Sequence, residues 1–240
     1  MVERMSEYIG KDPAEFDFKD ITYEKADWVA RVTINRPHVY NAYSVLALQE
    51  MASAFWDATV DDNVAVIVLT GAGEKAFCTG GDVKEYAENY TVYPRDFWKW
   101  MGHYNRAHEL LHNCGKPTIA RVNGIVAGGG NEFHMSCDLS IAADHAKILQ
   151  VGTRVGSVAA GGATQFLPII VGDRRAREIL YLCEDIHAQK AMDWGLVNEV
   201  VPMAELDEAV RTGVVRADLA QRLGGLKVRV PALRDRREDI

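Results

Sequence analysis

Cysteine is scarce in this chain. The four residues, Cys78, Cys114, Cys137 and Cys183, are widely spaced and form no CxxC pair. That excludes zinc-ribbon and thioredoxin-like spacings and leaves four free thiols, as expected in a reducing compartment. Long apolar runs are missing too. None reaches the length needed to span a membrane, so no membrane partner is expected. Basic charge is the minority sign: 27 Lys and Arg stand against 34 Asp and Glu, for a net charge of −7. The clustered basic footprint of a nucleic-acid binder is therefore not expected. Residues 1–20 are acidic and polar, with neither the apolar core of a signal peptide nor the arginine-rich pattern of a transit peptide. A cytoplasmic location follows as the expectation. The run Gly128-Gly129-Gly130 lacks the GxGxxG spacing and the downstream acid of a dinucleotide fingerprint. No nicotinamide, flavin or metal motif is visible, and no segment repeats at a fixed period.

What is present suits one large domain, or one domain with an appendage: 240 residues, 48% of them hydrophobic. Residues 28–35 alternate as a strand that Arg36-Pro37 ends. Ser44 is placed to cap a helix whose apolar face runs Leu48, Met51, Ala52, Phe55. Residues 64–70 form a continuous apolar run between Asp61-Asp62 and Gly71, the pattern of a strand buried on both faces. Residues 93–113 predict a long amphipathic helix with the stripe Phe97, Met101, Tyr104, His108, Leu111. Further strands are expected at 117–122, 139–143 and 196–201. Helices are expected at about 129–137, 163–170, 173–184 and 187–193. Strands alternating with helices imply an α/β class with largely parallel pairing. Residues 1–20 read as a loose arm. Residues 211–240 hold seven arginines with weak helical periodicity and read as poorly packed.

The most informative feature is a pair of glycine-rich turns. The first reads Ala76-Phe77-Cys78-Thr79-Gly80-Gly81-Asp82, and the second Val122-Asn123-Gly124-Ile125-Val126-Ala127-Gly128-Gly129-Gly130-Asn131-Glu132. Each follows a strand-like apolar run, and the second opens a helix. Two such turns can aim two backbone N–H groups at one oxygen, the geometry that stabilises an oxyanion or enolate. Glycine permits the unusual backbone angles and the close approach of a ligand to the main chain. Taken alone, a Gly-Gly pair also serves as an ordinary tight turn.

In their order, these motifs resemble the crotonase (enoyl-CoA hydratase/isomerase) superfamily over residues 20–202. Ile34-Asn35-Arg36-Pro37 with Asn41-Ala42 comes first, then the two turns. Lys116-Pro117, Cys137-Asp138, Gly161-Gly162-Ala163-Thr164-Gln165 and Gly195-Leu196-Val197 complete the series. The resemblance implies a ββα spiral core (residues 21–202), an N-terminal arm (1–20) and an atypical C-terminal tail (203–240). It implies a homotrimer or a hexamer built from trimers. The substrate would be an acyl-CoA thioester, with no permanently bound cofactor. The Gly81 and Gly129 amides would hold the thioester oxygen. Val39, Tyr40, Ala42, Gly80, Asp82, Val83, Gly128, Gly152 and Ser157 would line the CoA and acyl site. Members continue further beyond Gly195-Leu196-Val197 than the 38 residues that follow Pro202 here.

Glu132 opens a helix, where the dipole favours a carboxylate. By itself it reads equally as a capping-region acid. The resemblance places it on one of two family glutamates, a general acid/base. The second glutamate has no counterpart: Gln150-Val151-Gly152-Thr153 puts glycine at that position. Two branches share the glycine. One is 1,4-dihydroxy-2-naphthoyl-CoA synthase, which residues 152–157 and His134-Met135 resemble. That branch carries no acid at the position of Glu132 and has an aspartate where Val158, Ala159 and Ala160 stand here. The other is the 6-oxocyclohex-1-ene-1-carbonyl-CoA hydrolase branch. Tyr40-Asn41-Ala42-Tyr43-Ser44, Lys84-Glu85-Tyr86-Ala87-Glu88 and Leu182-Cys183-Glu184 resemble it, and it keeps the Glu132 equivalent. Three readings stay open: water addition to an enoyl- or oxoacyl-CoA, ring formation or C–C cleavage, and acyl-CoA binding without turnover. Among the helpers, Asp82 reads as a helix cap, Tyr86 and Tyr90 as packing residues with facing an acyl pocket as the rival, and His134 as a satisfied core histidine. Lys84 and Arg121 read as solvated charges, with contact to CoA phosphates as the rival.

Overall fold

Successive strands of this chain alternate between two sheets, and that alternation builds the site. The computed structural model describes residues 5–90 and 92–214. β1 (Ile21–Ala26) and β2 (Val29–Ile34) form an antiparallel hairpin. Its two turn residues, Asp27 and Trp28, both have positive φ, the twist that two-residue hairpins favour. α1 (Val45–Val60) follows. The Ser44 side chain accepts the Ala47 amide at 2.9 Å and caps it, a contact that stabilises a helix by about 1 kcal/mol.

β3 (Val66–Gly71), β5 (Thr118–Val122), β7 (Leu139–Ala143) and β10 (Glu199–Val201) then join β2 in parallel, in that spatial order. Every residue of β3 and β5 is buried. After each of β3, β5 and β7 the chain drops into a second sheet, forming β4 (Ala76–Cys78), β6 (Ile125–Ala127) and β8 (Lys147–Leu149). These pair in parallel, and β9 (Ile186–His187) closes the edge antiparallel to β8. Helices complete each round: α2 (Val83–Glu85) with α3 (Pro94–His112), then α4 (Gly129–Ser136), then α5 (Ala163–Val171) with α6 (Asp173–Leu182). α7 (Ala188–Asp193) leads to β10, and α8 (Leu206–Ala209) follows it. Strand, strand, helix, three times over, is the expected ββα spiral.

Two expectations change. The inner face of α3 is Trp100, Tyr104, Ala107, His108 and Leu111, with Phe97 46% exposed and Trp100 5%. Trp100 stacks on Tyr104 and on Tyr43, which turns the first half of the helix away from the expected stripe. The N-terminal arm is fastened from Lys11 onward. Glu50 and Asp57, on one face of α1, accept the amides of Lys11, Lys19, Asp20 and Ile21, while Phe16 and Phe18 pack on Tyr23. Beyond β10, Leu206 and Val210 bury against Val66, Val68, Ile119 and Ile141. Of the 211–240 stretch expected to pack poorly, 215–240 lies outside the described residues. No helix among those described is long and apolar enough to cross a membrane.

Candidate active site

β4 and β6 are parallel neighbours, so the turns that follow them leave the same end of the small sheet. In α/β folds, ligands bind at such carboxyl ends. Gly80 and Gly128 both have positive φ, at +97° and +53°. The turns touch: a Cβ on Gly80 would lie 3.3 Å from the Gly129 nitrogen. The Tyr43 segment straps the first turn, its amide donating to Gly80 O at 2.9 Å and its carbonyl accepting the Asp82 amide at 3.0 Å. That bridge skips the Gly81 N–H. Among the described residues, the amides of Gly81 and Gly129 donate to no protein acceptor. The Gly129 amide is also one of the open donors at the start of α4, where the helix dipole favours negative charge. Both unspent N–H groups thus belong to turns that touch.

Glu132 sits in the first turn of α4 and is 4% exposed. Its Oε1 accepts the amides of Gly161 at 2.7 Å and Ala163 at 3.2 Å, where α5 begins. Its Oε2 accepts the Tyr104 hydroxyl. Burial pushes the carboxyl above its ordinary range and outweighs those three hydrogen bonds, which pull it down. A buried, firmly held carboxyl with a raised pKa suits general acid/base work near neutrality. The neighbouring polar residues are structural. Asn131 donates to Gln150, and His134 lies between Asn131 and Ser140. Burial holds His134 down at about 4, so it is neutral, as expected for a core histidine.

The other expected residues frame this centre to different degrees. Gly128 donates to Leu149 O, and its face meets Val151, so the strand leading into Gly152 runs beside the second turn. Gly152 closes a tight turn by accepting the Ser157 amide at 2.8 Å, and a side chain there would press on Ser157 O at 3.1 Å. Ser157 itself is exposed, its hydroxyl directed at Val158 O. Asp82 caps α2 through the Lys84 and Glu85 amides and pairs with Arg36 at 2.9 Å. Burial opposes its charge, but Arg36 and those amides prevail and hold it below the usual range. Arg36 also donates to Ala42 O, and Thr79 donates to Tyr40 O, which lays the 37–42 loop along the first turn. Val39 is half-buried, Tyr40 exposed, and Val83 76% exposed.

Arg121 fits neither expectation. It is buried and grips Asp207 through two contacts of 2.9 and 2.8 Å. Lys84 is exposed beside Glu88. Three hydroxyls, of which the sequence reading singled out only that of Tyr86, crowd three glycines. Those of Tyr86, Tyr43 and Tyr104 occupy the places where a Cβ on Gly81, Gly129 and Gly161 would fall. No local pattern signals them, because they come from three separate segments.

A family model described as enoyl-CoA hydratase/isomerase matches residues 24–220. The chain belongs to that family. Among solved structures it is similar to an enoyl-CoA hydratase from Bacillus anthracis, 32% identical with a TM-score of 0.78 over 85% of this chain and 76% of that one. It is similar to DspI from Pseudomonas aeruginosa, 28% identical with a TM-score of 0.79 over 93% and 90%. It is also similar to an enoyl-CoA hydratase/carnithine racemase from Magnetospirillum magneticum, 28% identical with a TM-score of 0.76 over 85% and 74%. Two of these names state an activity, enoyl-CoA hydratase and enoyl-CoA hydratase/carnithine racemase, and the third states none. Family membership therefore narrows the chemistry, and the site has to supply the rest.

Proposed function

We propose that this chain adds water to an enoyl- or oxoacyl-CoA thioester, as a hydratase or a ring-opening hydrolase. The observation that carries the reading is the position of Glu132: a buried, raised-pKa carboxyl in the same helical turn as the unspent Gly129 amide. The Gly81 and Gly129 amides hold the thioester oxygen as it gains enolate charge, and donors of this kind are worth about 3–4 kcal/mol each in the transition state. Glu132 takes the proton of the attacking water. The 37–42 loop, Gly80, Asp82 and Val83 line the CoA side, and Gly128, Gly152 and Ser157 the acyl side. Glycine at 152 places no carboxylate beside the acyl group. Ring formation is the second reading, favoured by the absence of a carboxylate at Gly152. Exposed Val155, Val158, Ile169, Tyr181 and Leu182 support a homotrimer or hexamer, testable by light scattering.

The test is mass spectrometry of products from crotonyl-CoA and 6-oxocyclohex-1-ene-1-carbonyl-CoA. One added water on the linear thioester assigns a hydratase, and two on the cyclic one assign ring opening. Binding of both without turnover defeats water addition and favours the ring-forming or the non-catalytic reading.

A further inference from the structure

Glu132 is held by three donors, and one of them is a side chain. Its Oε1 accepts the Gly161 and Ala163 amides, and its Oε2 accepts the Tyr104 hydroxyl. A carboxylate offers about four acceptor sites, two on each oxygen. Oε1 is therefore filled, and Oε2 keeps one site for a further donor. Tyr104 lies in the middle of α3 and is 2% exposed. Its ring stacks on Trp100 at 5.4 Å, meets Phe133 edge-on at 5.9 Å and lies 4.2 Å from the His108 ring. Packing alone would be served by phenylalanine, so the hydroxyl needs its own reason. Gly161 answers the same arrangement from the other side. A Cβ there would fall on the Tyr104 hydroxyl and lie 2.7 Å from Glu132 Oε2. The φ of Gly161 is not positive, so the space these two groups fill, rather than the backbone angle, requires glycine.

We propose that Tyr104 is the positioning residue of Glu132: its hydroxyl orients the carboxyl and holds it ionised, so that the one acceptor site left on Oε2 takes the proton of the attacking water. The proposal rests on the water-adding reading. A hydrogen bond to a carboxylate is stronger than one to the neutral acid, so Tyr104 favours the charged form while burial opposes it. As water attacks C3 of the enoyl thioester, its oxygen forms the new C–O bond and one proton moves to Oε2. The C2–C3 π pair becomes an enolate at the thioester oxygen. The Glu132 proton then passes to C2, the enolate collapses to the carbonyl, and the carboxylate is restored. The sum is one water added, and Tyr104 keeps its own proton throughout. The titratable groups packed around Glu132 and Tyr104 are His108 on α3, Tyr43 ahead of α1, Tyr86 after α2, Cys78 on β4 and His134 on α4. Burial keeps all five neutral near pH 7, and α5 faces the carboxyl with backbone amides.

The test compares Tyr104→Phe and Gly161→Ala with the wild type across pH, on whichever of the two thioesters the wild type turns over. Phenylalanine keeps the clamped ring and removes the hydroxyl. The acid limb of kcat/KM reports the base in the free enzyme. In Tyr104→Phe it is expected to move to higher pH by about one to two units, and kcat/KM at pH 7 to fall about 10-fold or more, with the Kd for butyryl-CoA unchanged. Part of the lost activity should return at pH 9, which a loss of packing would not show. Gly161→Ala displaces the same hydroxyl and should move the limb the same way. The double variant should move it no further than the larger single shift. A second readout needs no turnover: carbon NMR of protein labelled at glutamate Cδ, with the Glu132 signal assigned by its loss in Glu132→Gln. Its titration midpoint should rise in Tyr104→Phe. A limb and a midpoint that stay put or move to lower pH overturn the proposal, whatever happens to kcat. A wild type inert on both thioesters, with the midpoint raised in Tyr104→Phe, defeats water addition instead and leaves the hold of Tyr104 on Glu132 standing.

Discussion

Glu132→Gln separates chemistry from stability, and the structure sets the sign of each effect. The amide oxygen of glutamine keeps an acceptor for the Gly161 and Ala163 N–H groups, and the Tyr104 hydroxyl can turn to accept from the new NH₂. Three hydrogen bonds to a charge become three neutral ones, a loss of about 1 kcal/mol each. Against that, the charge is removed from a site where burial already outweighs those bonds, as the raised pKa records. The net change in stability is expected to be near zero or favourable. Loss of the general base is expected to lower kcat by about 10²–10⁴, or roughly 3–5 kcal/mol of barrier. The assay pairs steady-state hydration kinetics with a thermal melt. In a domain of this size 1 kcal/mol shifts Tm by about 2–4 °C. A melt lowered by much more than that, or kcat within threefold of the wild type, refutes the reasoning.

The remaining expectations concern the scaffold. His108 and His134 are both held at about 4 by burial and take protons near 6.5 when unfolded. Their contribution is complete above pH 6.5 and is lost as pH falls from there towards 4, by up to about 3 kcal/mol each. Glu132 runs the other way. Urea melts at pH 7.5 and 5 should show a net loss at pH 5, and equal stability would contradict it. Asp207→Ala strands the buried Arg121. About 2 kcal/mol is expected, discounted from the figure for a fully buried pair because Asp207 is half-exposed. Arg121→Met with Asp207→Leu should recover most of it. In Gly130→Ala, the new Cβ meets the Cys78 carbonyl, which cannot move aside. A loss of about 1–3 kcal/mol is expected in the same melts, and an unchanged midpoint would refute the close packing of α4 on β4.

Much of this architecture was legible because long periodic segments carry strong signals. The Ser44 cap, the doubly buried run before Gly71 and the 139–143 strand appear where the sequence places them. The small sheet was not legible. β4, β6 and β8 have three residues each, too few for any period to show, and their partners are set by the crossovers. The turns they aim were readable because glycine at Gly80 and Gly128 answers a local backbone need. The packing of Tyr43 and Tyr104 against Gly129 and Gly161 and the Arg121–Asp207 pair were unreadable for the opposite reason. Residues 43, 86 and 104 become neighbours only once α1, the 86–90 turn and α3 have packed. Arg121 and Asp207 are 86 positions apart. The aromatic cluster also explains the error on α3: stacking on Trp100 overrode the helical stripe.

The central claim is that the unspent amides of Gly81 and Gly129 polarise a thioester carbonyl. Isotope-edited infrared spectroscopy of bound ¹³C=O crotonyl-CoA tests it most directly, in the wild type and in Glu132→Gln to exclude turnover. The carbonyl band is expected to move to lower frequency in both proteins. A band at its solution frequency in a saturated complex would contradict it.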